Sequence, residues 1–190
     1  VSALVDGGFV VTWTYNNGIR YGVYGQQFDA SGNPVGSEFQ ANTYSYEGSA
    51  QYSYTPSVTS LADGGYIITW NVYAEDVDGF DVYGQRYDGS GNQVDGEFQV
   101  NTTTAGTQYG VSSTALTDGG FVVAWQSLLQ DGDLAGVYTR LFDIAGVGGS
   151  EILVNTSTAG NQVNAYVMAR ADGGFVVGWV DSAAAPQGQV

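Results

Sequence analysis

The stretch DGGFVVTW at 6–13 recurs as DGGYIITW at 63–70, DGGFVVAW at 118–125 and DGGFVVGW at 172–179. The tryptophans that close these stretches, Trp13, Trp70, Trp125 and Trp179, are spaced by 57, 55 and 54 residues. Self-similarity at a fixed period of this length marks a repeat architecture, in which each unit buries its apolar surface against its neighbours. Inside the stretch, Phe9, Val11 and Trp13 alternate with Val10 and Thr12, which is the period of a β-strand. Both sets are largely apolar, as in a strand covered on both faces. Asp-Gly between two β-rich runs is a hairpin signal, because glycine takes positive φ without steric cost and aspartate bonds its own backbone two residues on.

Aligned on the tryptophans, the chain divides into unit 1 over 1–55, unit 2 over 56–110, unit 3 over 111–164 and the first half of unit 4 over 165–190, one contiguous array. Unit 2 is expected to place strands at 57–62, 66–70, 81–87 and 97–102, with a loop at 71–79 and a tight turn, DGSGN, at 88–92. DASGN at 29–33 is the same turn in unit 1. No segment has the period of a helix. Four antiparallel strands in a repeat of about 50 residues make one blade of a β-propeller. The expected fold is therefore all-β, a β-propeller-like array of four-stranded antiparallel repeats with three and a half units present. A conventional propeller closes with about four blades or more. Blades beyond this sequence, or other copies of it, are expected to complete the array.

The chain of 190 residues is 43% apolar and only 12% charged, and it is rich in Gly (29) and Tyr (14). That profile suits short strands and tight turns. Nineteen acids face four bases, Arg20, Arg86, Arg140 and Arg170, for a net charge of −15. Nucleic acid needs a basic footprint and is excluded as a partner; an anionic membrane surface is disfavoured on the same ground. No run of about 18 apolar residues is present, so membrane insertion by a helix is not expected. Cations, neutral glycans or a basic partner remain. The sequence holds no Cys, His or Lys, so Ser-His-Asp and Cys-His systems and ordinary zinc sites cannot be built. A two-carboxylate glycosidase is not excluded by inventory, but the acids fall in turns and loops, and the expectation is no enzyme.

Repeated residues are first of all scaffold. The four tryptophans share strand phase with Phe9 and Val11 and are expected in the core, although a ring of them would also suit sugar stacking. Asp6, Asp63, Asp118 and Asp172 are expected to cap their turns, and Asn42, Asn101 and Asn155 to make similar bonds to backbone. Asn101 and Asn155 also fit the glycosylation sequon. Binding residues are sought where the repeats disagree. EDVDGFD at 75–81 offers Asp76, Asp78 and Asp81 as oxygen ligands for Ca²⁺, and Asp131 with Asp133 is the equivalent in unit 3. Tyr44, Tyr46, Tyr52 and Tyr54, with Tyr15, Tyr21 and Tyr24 nearby, cluster in unit 1 alone and suit sugar or protein contact.

The run VYGQRYDGSGNQVDGEFQVNTTTAGTQYGVSSTALTDGGFVVAW at 82–125 resembles the tandem repeats of large bacterial secreted, adhesin-like surface proteins that often also carry RTX-type calcium repeats. Units 1 and 2 follow this pattern closely; unit 3 departs at 137–149, and the RTX nonapeptide itself is absent. The resemblance implies an extracellular or cell-surface location and a non-catalytic structural or adhesive role, with other copies or neighbouring repeats as partners. A glycan-binding module using the unit 1 tyrosines is the alternative, and a carbohydrate-active enzyme is the third reading. No cofactor other than Ca²⁺ is suggested.

Overall fold

The computed structural model describes residues 1–16, 21–43, 55–74 and 79–182. Every regular element among them is a strand. Unit 1 contains β1 (Ser2–Ala3), β2 (Phe9–Asn16), β3 (Tyr21–Phe28) and β4 (Pro34–Gln40). Unit 2 contains β5 (Ser57–Ser60), β6 (Tyr66–Ala74), β7 (Gly79–Tyr87) and β8 (Gln93–Gln99). Unit 3 contains β9 (Gln108–Ala115), β10 (Phe121–Leu128), β11 (Ala135–Phe142) and β12 (Gly148–Leu153), and unit 4 contributes the hairpin β13 (Asn161–Ala169) and β14 (Phe175–Ser182). Each of the first three units is an antiparallel sheet in sequential order. The unit 4 hairpin joins β11 through a single parallel bridge, Ala135↔Asn161. This is the expected β-propeller-like array.

The repeated Asp-Gly-Gly is explained by its turn. In unit 2 the Gly64 amide donates to the Leu61 carbonyl at 3.2 Å, the Leu61 amide to the Gly65 carbonyl at 2.8 Å, and the Asp63 carboxylate accepts the Gly65 amide at 2.9 Å. Units 1, 3 and 4 repeat the carboxylate bond at 2.9, 3.0 and 3.1 Å. Gly64 has φ +88°, which an L side chain rarely adopts. Gly65 is required for a different reason: a Cβ there would collide with the Tyr87 carbonyl oxygen. The second turn of the unit is held by Asp88, whose Oδ1 accepts the amides of Ser90 and Asn92, both at 2.9 Å.

Both faces of each inner sheet are covered by the neighbouring units. Leu4, Val10, Val23 and Ala41 of unit 1 form one core with Tyr66, Ile68, Trp70 and Tyr87 of unit 2. Leu61, Ile67, Val82 and Val100 on the other face of unit 2 meet Phe121, Val123, Trp125 and Tyr138 of unit 3. Leu116, Val122 and Ala124 then meet Val167, Phe175 and Val177. Each unit thus has a leading face carrying its aromatic residues and a trailing face carrying aliphatic ones. The aromatic face keeps one geometry: Phe9–Phe28, Tyr66–Tyr87 and Phe121–Phe142 stack at 4.9, 4.9 and 4.7 Å between centroids. The pairs Trp13–Tyr24 and Trp125–Tyr138 both stand at 6.4 Å and 23°. Trp70 and Trp125 are fully buried, as expected of core residues, whereas Trp13 is half-buried and Trp179 exposed.

Strand limits in unit 2 differ from the sequence expectation. β6 runs on to Ala74 and β7 starts at Gly79, so Asn71 and Val72 belong to the sheet. The polarity of Asn71 suggests a loop, but the residue pairs with Val82 across the strands. β8 ends at Gln99, before Asn101, whose side chain has another task.

The two glycines of the turn should separate in a denaturation experiment. Gly64→Ala places Ala at positive φ and should cost about 1–2 kcal/mol. Gly65→Ala has to displace backbone and should exceed the roughly 3 kcal/mol that bounds most single substitutions. Urea midpoints in the reverse order would refute this account of the turn.

Candidate functional site

Antiparallel order puts the two tight turns of each unit at one end of the sheets. The connections from second to third strand, and the hand-over from one unit to the next, lie at the other end. The loop-bearing end is where the repeats differ, and where Asp81, Asp131, Asp133 and Asp181 lie.

Much of its polarity is structural. The Asn42 Oδ1 accepts the Val23 amide at 2.7 Å, Asn101 the Val82 amide at 2.8 Å, and Asn155 the Val137 amide at 2.7 Å. These buried asparagines close the loop end of the third strand, in keeping with the repetition of Asn at this position. The Asn101 Nδ2 donates to Asp81 Oδ1 at 2.6 Å and to Gln108 Oε1 at 3.3 Å. The Asn155 Nδ2 donates to Asp131 Oδ2 at 3.3 Å and to Gln162 Oε1 at 3.2 Å. Asp81 and Asp131 therefore do the same work from different chain positions. The strand position of Asp81 is taken in unit 3 by Gly136, and a Cβ on Gly136 would approach Asp131 Oδ2 to 2.6 Å. The loop aspartate fills the space the strand glycine leaves open.

A second device crosses the unit boundary. Glu97 Oε2 accepts the Thr43 amide at 2.8 Å and its hydroxyl at 2.6 Å. One unit later Glu151 accepts the amides of Thr102 and Thr103, the Thr103 hydroxyl at 3.0 Å and the Gln130 Nε2 at 2.8 Å. Burial pushes the Glu151 carboxyl up, but the bonds from Thr102, Gln130 and Thr103 outweigh it and hold the group below the usual glutamate range. Beside it, burial raises the Tyr138 hydroxyl, and the charges of Asp131 and Glu151 raise it further.

Of the proposed Ca²⁺ ligands, Asp76 and Asp78 lie outside the described residues. Asp81 and Asp131 sit in different units, each held by its own asparagine, and Asp133 Oδ2 accepts the Gly160 amide at 2.9 Å. Among the described residues no group of three or more acidic side chains is placed to hold a metal ion. Tyr44, Tyr46, Tyr52 and Tyr54 also lie outside the described residues. Their neighbour Tyr15 is exposed and meets Tyr24 edge-on at 5.7 Å.

Two carboxylates that remain open to solvent at this end are Asp133 and Asp181. They flank the first residues of β13: Asp133 holds the Gly160 amide, and Asp181 Oδ1 faces the Gln162 Nε2 at 3.5 Å. Gln162, itself fully buried, is fixed between Asn155 and the Ala159 carbonyl. Two exposed acids thus stand across the seam of units 3 and 4 on a buried polar base. Sequence reasoning missed Asp181. The signal was available: two residues after the repeated tryptophan the other units carry Tyr15, Val72 and Ser127.

No family model matches this chain. No curated protein matches it either. Among solved structures, polysaccharide lyase Uly1 aligns with a TM-score of 0.54 at 11% identity, over 98% of this chain and 49% of the lyase. The endo-arabinase from Bacteroides thetaiotaomicron VPI-5482 aligns with a TM-score of 0.49 at 14% identity, over 97% of this chain and 68% of that one. A thermostable family-43 glycoside hydrolase aligns with a TM-score of 0.44 at 9% identity, over 88% of this chain and 63% of that one. The chain thus spans about half the length of the lyase. The likeness is one of fold. It corrects two expectations from the sequence, that the chain is a non-catalytic structural or adhesive segment and that it is no enzyme: a polysaccharide lyase shares this fold, so the repeat architecture gives no ground for excluding catalysis. The physical flaw in those expectations is specific. The acids do fall in turns and loops, but that position does not speak against catalysis, because the loop-bearing ends of adjoining units bring Asp133 and Asp181 to one seam.

Two measurements test the structural part of the site. Glu151 has a lowered folded-state pKa, so its contribution is present above the ordinary glutamate range and lost as pH falls through the lowered value. Glu151→Gln should cost about 1–2 kcal/mol near neutral pH after solvent screening, and the gap in melting temperature from the parent should close in acid. A gap that stays constant with pH would remove the charge from the clamp. Gly136→Asp alone should destabilise by crowding Asp131, and adding Asp131→Gly should recover most of the loss; simple additivity of the two would refute the exchange.

Proposed function

We propose that the chain forms part of a carbohydrate-active enzyme, with its loop-bearing end facing the polysaccharide and Asp133 and Asp181 as the carboxylate pair. The observation that carries this reading is the placement of two solvent-open acids across one seam, on a fold shared with a polysaccharide lyase. Two carboxyl groups flanking a glycosidic bond are the standard equipment for its hydrolysis, one donating a proton to the leaving oxygen and the other acting as base or nucleophile.

Charge selects the substrate class. A chain at −15 repels uronic or sulfated polymers. Elimination, the lyase reaction, requires a sugar whose carboxyl group acidifies the neighbouring proton, so it needs such a polymer. Hydrolysis of a neutral polysaccharide is the reading that agrees with the electrostatics.

Digestion of a panel of neutral and acidic polysaccharides, followed by reducing-end release, tests this. Release is expected from a neutral polymer, with Asp133→Asn and Asp181→Asn each lowering the rate by about 100-fold or more while leaving the melting temperature within a few degrees. No release from any polymer, or full activity in both variants, would defeat the assignment.

A further inference from the structure

Thr103, Gln130 and Glu151 meet at the seam of units 2 and 3, and all three are half-buried. The Thr103 hydroxyl donates to Glu151 Oε2 at 3.0 Å, and the Gln130 Nε2 donates to the same oxygen at 2.8 Å. The Gln130 Nε2 also donates to the Thr103 Oγ1, at 2.9 Å. A hydroxyl, a carboxamide and a carboxylate thus form a closed triangle. The other carboxylate oxygen, Glu151 Oε1, accepts the amides of Thr102 and Thr103, which fixes the orientation of the group. The Gln130 Oε1 is buried and has no hydrogen-bond partner among the described residues. An acceptor left unpaired in this way destabilises the carboxamide as it stands.

The repeat does not call for this carboxamide. The positions aligned with Gln130 hold Gly18, Glu75 and Ala184. At the preceding seam Thr43 and Glu97 supply a hydroxyl and a carboxylate 2.6 Å apart, but Glu75 has no amide to lose. Among the aligned units, the three groups come together only between units 2 and 3. The loop that carries Gln130 is closed by the Leu129 amide, which donates to the Leu134 carbonyl at 2.7 Å. Leu129 has φ +64°, a conformation that a bulky side chain rarely adopts. The same loop carries Asp131 and Asp133. With no Cys and no Lys in the chain, neither a disulfide nor a lysine amide link can hold it.

From this geometry we infer that Thr103 and Gln130 become joined by an intramolecular ester bond, with Glu151 as the general base. Glu151 Oε2 takes the hydroxyl proton as Thr103 Oγ1 attacks the Gln130 Cδ, and returns it to Nε2 as the Cδ–Nε2 bond breaks. One C–O bond forms, one C–N bond breaks, ammonia leaves, and Glu151 ends as it began. The terminal torsion of a glutamine is broad, so a turn of the amide plane brings Cδ, one bond beyond Nε2, to the hydroxyl oxygen. Holding nucleophile, base and carbonyl in one place is worth effective molarities of about 10⁵–10⁸ M in well-aligned cases. At neutral pH the released ammonia is protonated and diluted into solvent, which opposes reversal. An unactivated amide reacts slowly, so fresh protein is the unreacted form and the link accumulates with age. Once formed, it ties the connection after β8 to the loop that holds Asp133, constraining the chain as a disulfide would. Asp133 and Asp181 take no part in the reaction.

Mass spectrometry of protein aged at neutral pH tests this. The intact mass should fall by one ammonia per chain. Cleavage before aspartate separates the two residues at Asp118, and the two pieces should stay joined until hydroxylamine parts them. Thr103→Ser keeps a hydroxyl and should still link, whereas Thr103→Val and Gln130→Met should not. Glu151→Gln should slow linkage by about 100-fold or more. The melting temperature should rise with age in the parent and stay constant in the variants that do not link. If Thr103→Val does not fold, Gln130→Met decides. Pieces of the aged parent that separate without hydroxylamine, whether or not Gln130 has turned to Glu, or linkage that survives either variant, overturn the proposal.

Discussion

A four-stranded sheet with apolar side chains on both faces cannot stand in water alone, and every other feature of this protein follows from that constraint. Val10, Ile67 and Val122 point one way along their strands, and Trp70, Trp125 and Phe121 the other, and all are buried. Burying a large aromatic or aliphatic side chain contributes about 1.5–3 kcal/mol, so each seam outweighs any single turn or polar contact within a unit. The seams then fix how closely the units approach. Ser and Thr line the inner strands, and their hydroxyls bond across to the neighbour's backbone. The glutamate clamps tie the outer edges.

Repetition separates scaffold from site at the loop-bearing end. The asparagines at 42, 101 and 155 bond the same strand position in three units, which is the behaviour of a structural residue. Asp81 and Asp131 show the same principle in a less obvious form. The chain position changes while the carboxylate stays, and the strand residue changes from Asp to Gly to admit it. Once those groups are accounted for, Asp133 and Asp181 remain as solvent-open acids beside one seam; Asp133 aligns with Asp78 of unit 2, whereas Asp181 has no acidic counterpart in the other units.

The period, the turn chemistry and the core role of the interior tryptophans were legible in the sequence because they are local or strictly periodic. Strand ends were less so: Asn71 is polar yet sits mid-sheet, since cross-strand pairing with Val82 settles its place and pattern does not. The glutamate clamps span 54 and 48 residues, and nothing in a linear reading ties Glu97 to Thr43. Aligning the units does place Glu38, Glu97 and Glu151 in register, but it gives no hint of what they hold. The Asp81–Asp131 exchange hides for the same reason, because the two acids do not align. The non-enzymatic reading failed because acids in turns and loops look scattered along the chain, and nothing in a linear reading brings Asp133 to the seam that Asp181 lines.

The proposed site depends on one element. Asp181 is carried by β14, on a hairpin joined to unit 3 through a single bridge and the apolar seam of Val167, Phe175 and Val177. Its other face is the exposed patch of Tyr166, Met168, Val176 and Val180. A hairpin covered on one face opens at lower free-energy cost than the sheets packed on both sides. Whatever covers the second face favours the closed arrangement and so the position of Asp181 beside Asp133, by the ordinary linkage between binding and stability. The geometry of the carboxylate pair is then coupled to the packing of the same two strands, with the buried Gln162 as the fixed point.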